Sequence, residues 1–161
     1  MPTNATVTAG SLQGEYYLLT QVIGNGSVDK NDLYVSGYHT GAGTNDVTLG
    51  GVDVASKGYF NGTHQQFDYE TSFPWGLSMG GDTNYAAWEL AMIDGGEGSE
   101  GFFFNSSGLQ WNETYEGFGG WLACDWWHGV PQLFWKNAFY DNEITAYPSS
   151  CASINLLAVT V

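Results

Sequence analysis

Residues 76–80 (GLSMG) have the G-x-S-x-G spacing of a turn that lifts a nucleophilic serine above a parallel sheet, and Asp125 and His128 follow Ser78 in the order acid, then base. Such a nucleophile needs a strand, a strained turn and a helix in succession. Residues 81–84 (GDTN) start no helix, so Ser78 is expected in ordinary β structure. Gly96, Gly98 and Gly101 spell the dinucleotide fingerprint by letters only, because the run leads into three phenylalanines and not into a helix whose amides would hold a pyrophosphate. A hairpin turn is expected there, and no cofactor.

Metal chemistry has equally little support. His39, His64 and His128 are far apart in sequence and form no close ligand pair, while Asp29, Asn31 and Asp32 lack the glycine and terminal glutamate of a calcium loop. No metal is expected. Glycoside hydrolysis needs two carboxylates facing each other across a cleft, one with a raised pKa. Asp82, Glu89, Glu113, Glu116 and Asp125 are available, yet with 17 acids in 161 residues such candidates arise without any selection for catalysis.

The densest feature is the stretch 111–135, which holds five of the seven tryptophans: Trp111, Trp121, Trp126, Trp127 and Trp135. Most of these rings are expected to fill the core of a small β fold. Trp126 and Trp127 are neighbours, so on extended chain they point to opposite faces and one of them is expected at the surface or in a cleft. An exposed indole could stack on a pyranose while Asp125, Asn112 or His128 bonds its hydroxyls. The candidate ligand surface is therefore Trp111, Trp121, Asp125, Trp126, Trp127 and His128.

The elements that must carry these residues are strands. Aromatic residues make up 16% of the chain, glycine is its commonest residue at 23, and helix-favouring lysine and arginine are nearly absent. Residues 15–23 (EYYLLTQVI) and 33–38 (LYVSGY) read as two strands with a turn-rich connection, 41–45 (GAGTN) as loop, and 58–61 as a short strand stopped by Asn61-Gly62. Residues 86–93 (AAWELAMI) have helix-favouring composition but are short and alternate Trp88, Leu90 and Met92 with Ala87, Glu89 and Ala91, which favours a strand pairing across 94–101 with Phe102-Phe103-Phe104. Further strands are read at 109–112, 120–125, 130–136 and 155–161. Many short, closely spaced strands imply one all-β domain over residues 1–161, an antiparallel β-barrel or β-sandwich with long Gly-rich loops, with residues 1–12 as a flexible N-terminal segment.

The charge balance narrows the partners. Three lysines, no arginine and 17 acids give a formal charge of −14, which disfavours nucleic acid and anionic membrane surfaces. Asn-x-Ser/Thr occurs at Asn4, Asn25, Asn61, Asn105 and Asn112, five of the eleven asparagines, where about two are expected by chance. Asn25 and Asn61 fall on expected turns, as glycan acceptors must. The excess points to a secreted, extracellular glycoprotein. Residues 1–10 lack the features of a signal peptide, which is reconciled if the chain is a mature region given a start methionine. In an oxidising compartment the two cysteines, Cys124 and Cys151, are expected to form a disulfide.

The runs 32–49 (DLYVSGYHTGAGTNDVTL), 57–75 (KGYFNGTHQQFDYETSFPW) and 119–134 (GGWLACDWWHGVPQLF), with a late Cys-x-x-x-Asn-Leu, resemble a largely uncharacterised group of small secreted proteins of filamentous ascomycete fungi. The chain is more loosely similar to fungal cell-wall and IgE-binding secreted proteins, through a Trp-x-x-Cys strand and a late cysteine. The resemblance implies an extracellular protein at the host or cell-wall interface, and it carries over only Cys124 and Cys151. The expected function is that of a non-enzymatic, effector-like binder of a host or cell-wall protein, such as a protease that it inhibits. A carbohydrate-binding module that holds polysaccharide on exposed tryptophans is the alternative, and a small glycan hydrolase the next.

Overall fold

A computed structural model describes residues 14–80, 87–115, 117–138 and 147–161. The expected flexible segment 1–12, with Asn4, lies outside these residues, as do Asp82 and Glu116. The described chain is all-β: strands β1 (Tyr16–Val22), β2 (Tyr34–Gly41), β3 (Thr44–Gly50), β4 (Gly58–Asn61), β5 (His64–Phe67), β6 (Trp75–Met79), β7 (Trp88–Gly95), β8 (Phe102–Asn105), β9 (Gly108–Trp111), β10 (Phe118–Asp125), β11 (Pro131–Asn137) and β12 (Ala152–Thr160).

Ten of these strands form one sheet in the order β10-β12-β1-β2-β3-β11-β7-β6-β5-β4, and all its strand pairs are antiparallel. The two ends close on strands already in the sheet, β4 on β1 through Tyr16 and Gly58, and β10 on β11. Closure makes a barrel and removes the free edges at which an open sheet would recruit other chains. An unbroken seam joins β1 to β12 in register from Tyr16 opposite Thr160 to Val22 opposite Ile154. Along it Tyr16, Leu18, Leu156 and Ala158 are buried, and Tyr17 and Leu157 on the alternate positions are less so, as the period of two requires.

Large side chains fill the interior. Trp121, Trp135, Phe67, Leu18, Leu49, Leu77 and Ile93 are fully buried there. Strands β8 and β9 form a separate hairpin that packs on the barrel, adding Phe102 and Leu109 to the same core and accepting a 2.7 Å hydrogen bond from Trp121 Nε1 on Leu109 O. Gly108 is required at its turn: its φ is +98°, and a β-carbon there would collide with the Leu156 carbonyl of β12.

A second, smaller core lies on the outer face of the same wall. Trp88 on β7, Phe134 on β11, and Leu122 and Cys124 on β10 are buried there with Leu90, Trp126 and Cys151 packed against them. The wall between β7 and β10 is therefore covered on both sides, which explains the consecutive apolar residues 121–124 of β10 and 133–135 of β11.

Several sequence expectations change. Thr44 and Asn45, read as loop, begin β3, and Gly41 ends β2, so the connection shrinks to a two-residue turn with Gly43 at φ +74°. Residues 94–101 are not a hairpin turn between β7 and β8. Strand β7 pairs with β6, β3 and β11, and β8 pairs with β9. The strand read at 86–93 is found as β7, Trp88–Gly95, two residues further along, with residue 86 outside the described residues; Glu89, Ala91 and Ile93 face the barrel core and Trp88 the outer one.

Candidate functional site

The outer core is closed by the connection between β10 and β11, residues 126–130. Its root is fixed by a disulfide between Cys124, the penultimate residue of β10, and Cys151, next to the start of β12. Asp125 adds a hydrogen bond from its N–H to Ser150 Oγ, 3.2 Å, and an ion pair to Lys30 Nζ, 3.1 Å. Lys30 also meets Asp29 at 3.0 Å. Burial pulls the Lys30 ammonium pKa down, but hydrogen bonds and charge from Asp29 and Asp125 outweigh it, so the net shift is upward.

Beyond this root the side chains alternate in direction. Trp126 turns inward and meets Trp88 and Phe134 edge-on, with ring centroids 5.3 and 5.1 Å away. His128 also turns inward and bonds Asp46 on β3, Nε2 to Oδ2, at 2.6 Å. A carboxylate only accepts, so Nε2 carries the proton. The imidazole lies between two rings, Tyr38 stacked at 3.9 Å and Trp127 tilted at 3.8 Å. Its side chain is 2% exposed. Trp127, between the two inward residues, is 72% exposed, and Tyr38 is 46% exposed. Gly129, at φ +77°, supplies the turn that brings the chain back to Pro131.

Sequence reasoning placed the ligand surface on six residues, and the structure separates them. Trp121 is sealed inside the barrel and cannot meet an outside ligand. Trp111 is half-buried against Trp135 and Phe118, its indole N–H bonded to Glu100 O. Trp126 is a packing residue and His128 is enclosed. Asp125 and Trp127 remain at the surface. A row of stacking tryptophans is thus not formed by these residues.

The catalytic readings fare no better. Ser78 lies within β6, its hydroxyl bonded to Gly76 O, and not on a strand-to-helix turn. His128 cannot act as its base, since its ring is covered on both faces and its Nε2 is held by Asp46. Glu89 is inside the barrel, Glu113 caps the amides of Tyr115 and Gly117, and Asp125 pairs with Lys30, so these three carboxylates sit in three unrelated places. Among the described residues no group of histidine, cysteine and acids is placed to hold a metal ion. The Asp29–Asp32 turn spends its oxygens internally: Asp29 accepts from Ser27 and Lys30, and Asn31 Oδ1 accepts from Val22 N–H.

A family model described as "Domain of unknown function (DUF7907)" matches residues 13–160. The chain belongs to that family. No curated protein and no solved structure matches it. The features of this DUF7907 domain that sequence reasoning missed are Tyr38 and Asp46, the two residues that receive His128. The signal was present in residues 44–49, where Thr44, Asp46 and Thr48 alternate with Asn45, Val47 and Leu49. That period of two marks a strand with a polar outer face.

Proposed function

We propose that this DUF7907 protein is a secreted, non-catalytic binder at the host or cell-wall interface, and that it engages a protein partner through Trp127. Secretion is supported by the disulfide, which suits an oxidising compartment, and by the exposure of Asn25, Asn61, Asn105 and Asn112, all in turns or beside them.

The observation that carries the binding reading is the contrast within the 126–130 connection. A large indole stands in solvent while the residues on either side of it are locked into the wall, so presenting it costs little ordering entropy on association. Preorganised aromatic anchors of this kind are enriched among residues that dominate protein interfaces. The exposed indole, resting against the imidazole of His128, offers an aromatic anchor, and a protease with an aromatic-accepting primary pocket has matching chemistry.

The test is affinity capture from host extracellular and cell-wall extracts with wild-type protein and Trp127→Ala, combined with inhibition assays against chymotrypsin-like proteases. A partner, inhibited protease or otherwise, held by wild type and released by Trp127→Ala supports the reading. Equal capture by both proteins refutes the assignment of Trp127, and turnover of a substrate refutes the non-catalytic reading.

A further inference from the structure

Two neighbouring hollows that share Asp68 and Tyr69 lie along the connection between β5 and β6 and together make a groove. One lobe, of about 340 Å³, is lined by the rings of Tyr59 and Phe73 together with Asn61, Gln66 and Asp68. A second lobe, of about 380 Å³, continues past Tyr69 to Ser56, Lys57 and Glu70, with Asp68 common to both.

The groove is held rigid. Tyr69 is its central post: its hydroxyl meets Ser56 Oγ at 2.9 Å, and its ring stacks on Phe67 and meets Trp75 edge-on. It passes over Gly37, where a β-carbon would stand 2.5 Å from the phenol oxygen. Asp68 Oδ1 accepts from Glu70 N–H at 2.9 Å and holds Glu70 at φ +59°, a conformation that costs free energy for a residue other than glycine. Thr71 Oγ1 donates to the Phe73 backbone O at 2.7 Å and accepts from Trp75 Nε1 at 2.8 Å, which fixes the loop backbone and the Trp75 ring, and the half-exposed Phe73 ring packs against Trp75 at 5.3 Å. The Gln66 amide is oriented by Asn61 Nδ2 and by Glu97 O.

We infer that this groove binds a neutral oligosaccharide. The half-exposed Phe73 ring offers stacking to the C–H side of a pyranose, and the exposed Asp68 carboxylate beside it accepts from sugar hydroxyls while the Ser72 hydroxyl donates or accepts; Gln66 is buried, with both ends of its amide already bonded, and serves as a wall. The first lobe has no aliphatic side chain other than the Pro74 ring, which disfavours an apolar peptide anchor. Asp68 and Glu70 on the rim, in a chain of net charge −14, disfavour an anionic sugar. This inference is independent of Trp127, which belongs to a different loop.

The test uses the full chain, oxidised and made without N-glycans, titrated by NMR with chitotetraose, cellotetraose, laminaritetraose and xylotetraose up to about 10 mM, and with tetragalacturonate as the anionic probe. At least one neutral probe is expected to shift the amides of residues 59–74 saturably. Phe73→Ala, a surface change, and Asp68→Ala, which also removes the acceptor that holds Glu70, are each expected to weaken that binding about tenfold or more, and Trp127→Ala to leave it unchanged. No saturable shift with any neutral probe overturns the inference. So does binding that survives both groove variants, or tetragalacturonate binding as tightly as the neutral probes.

Discussion

His128 and Asp46 meet at 2.6 Å across the outer wall of the barrel, although 82 residues separate them in the chain. The contact ties the β10–β11 connection to β3 on one side of Trp127, as Trp126 and the disulfide tie it on the other. Both partners are shielded from water, so removing either leaves the other with an unmet hydrogen bond. Asp46→Asn and His128→Ala are each expected to destabilise the fold by about 2–3 kcal/mol in chemical denaturation, and the double variant by clearly less than the sum. Strict additivity would mean that the two groups do not act as a pair.

The adjacent tryptophans separate stability from surface. Trp126→Ala opens a gap between Trp88 and Phe134 and is expected to cost about 3 kcal/mol, whereas Trp127→Ala is expected to cost less than about 1 kcal/mol. Thermal and urea unfolding of the two variants decide this, and a reversed order would show that the ring directions are misassigned.

Much of the architecture was legible from residue patterns, and the exceptions have physical causes. Strands β1, β2, β4 and β9 to β12 announce themselves as short apolar, aromatic-rich or β-branched runs, most of them ended by Gly or Asn. Strands β3, β5 and β6 do not, because their outer faces carry Thr, Asp, Gln and Ser that another segment covers or that face solvent. The outward turn of Trp127 follows from the alternation expected of it and Trp126. That the inward partner of the loop is Asp46 depends on long-range closure of the barrel, which no local pattern encodes.

The disulfide closes a separation of 27 residues between β10 and β12. Chain entropy for a loop of that length corresponds to about 3.5 kcal/mol. The Cys124→Ser, Cys151→Ser protein is expected to lose stability of that order and to show faster amide exchange across residues 125–130. Unchanged exchange there would show that the disulfide does not hold the loop.

Asp94 faces the same outer surface from β7. Burial, and next the charge of Asp46, raise its carboxyl pKa, with a hydrogen bond from the Asn45 amide opposing them, and its Oδ1 is buried without a partner among the described residues. The native state therefore holds the Asp94 proton to higher pH than the unfolded chain does. Its contribution to stability falls as pH rises from the unfolded value of 3.8 through the higher native one, and stays lowered above it. Asp94→Asn is expected to be at least as stable as wild type at neutral pH, with the difference vanishing under acid conditions. A variant less stable than wild type at neutral pH would contradict this.

Site-specific photo-crosslinking addresses the proposed role of Trp127 most directly. With p-benzoylphenylalanine replacing Trp127 in one preparation and Tyr115, an aromatic residue 85% exposed elsewhere on the surface, in another, both are irradiated in the same host or cell-wall extract. Covalent adducts with a defined protein from position 127 and none from position 115 are predicted. Adducts from 115 only, or none from either position, would contradict the account.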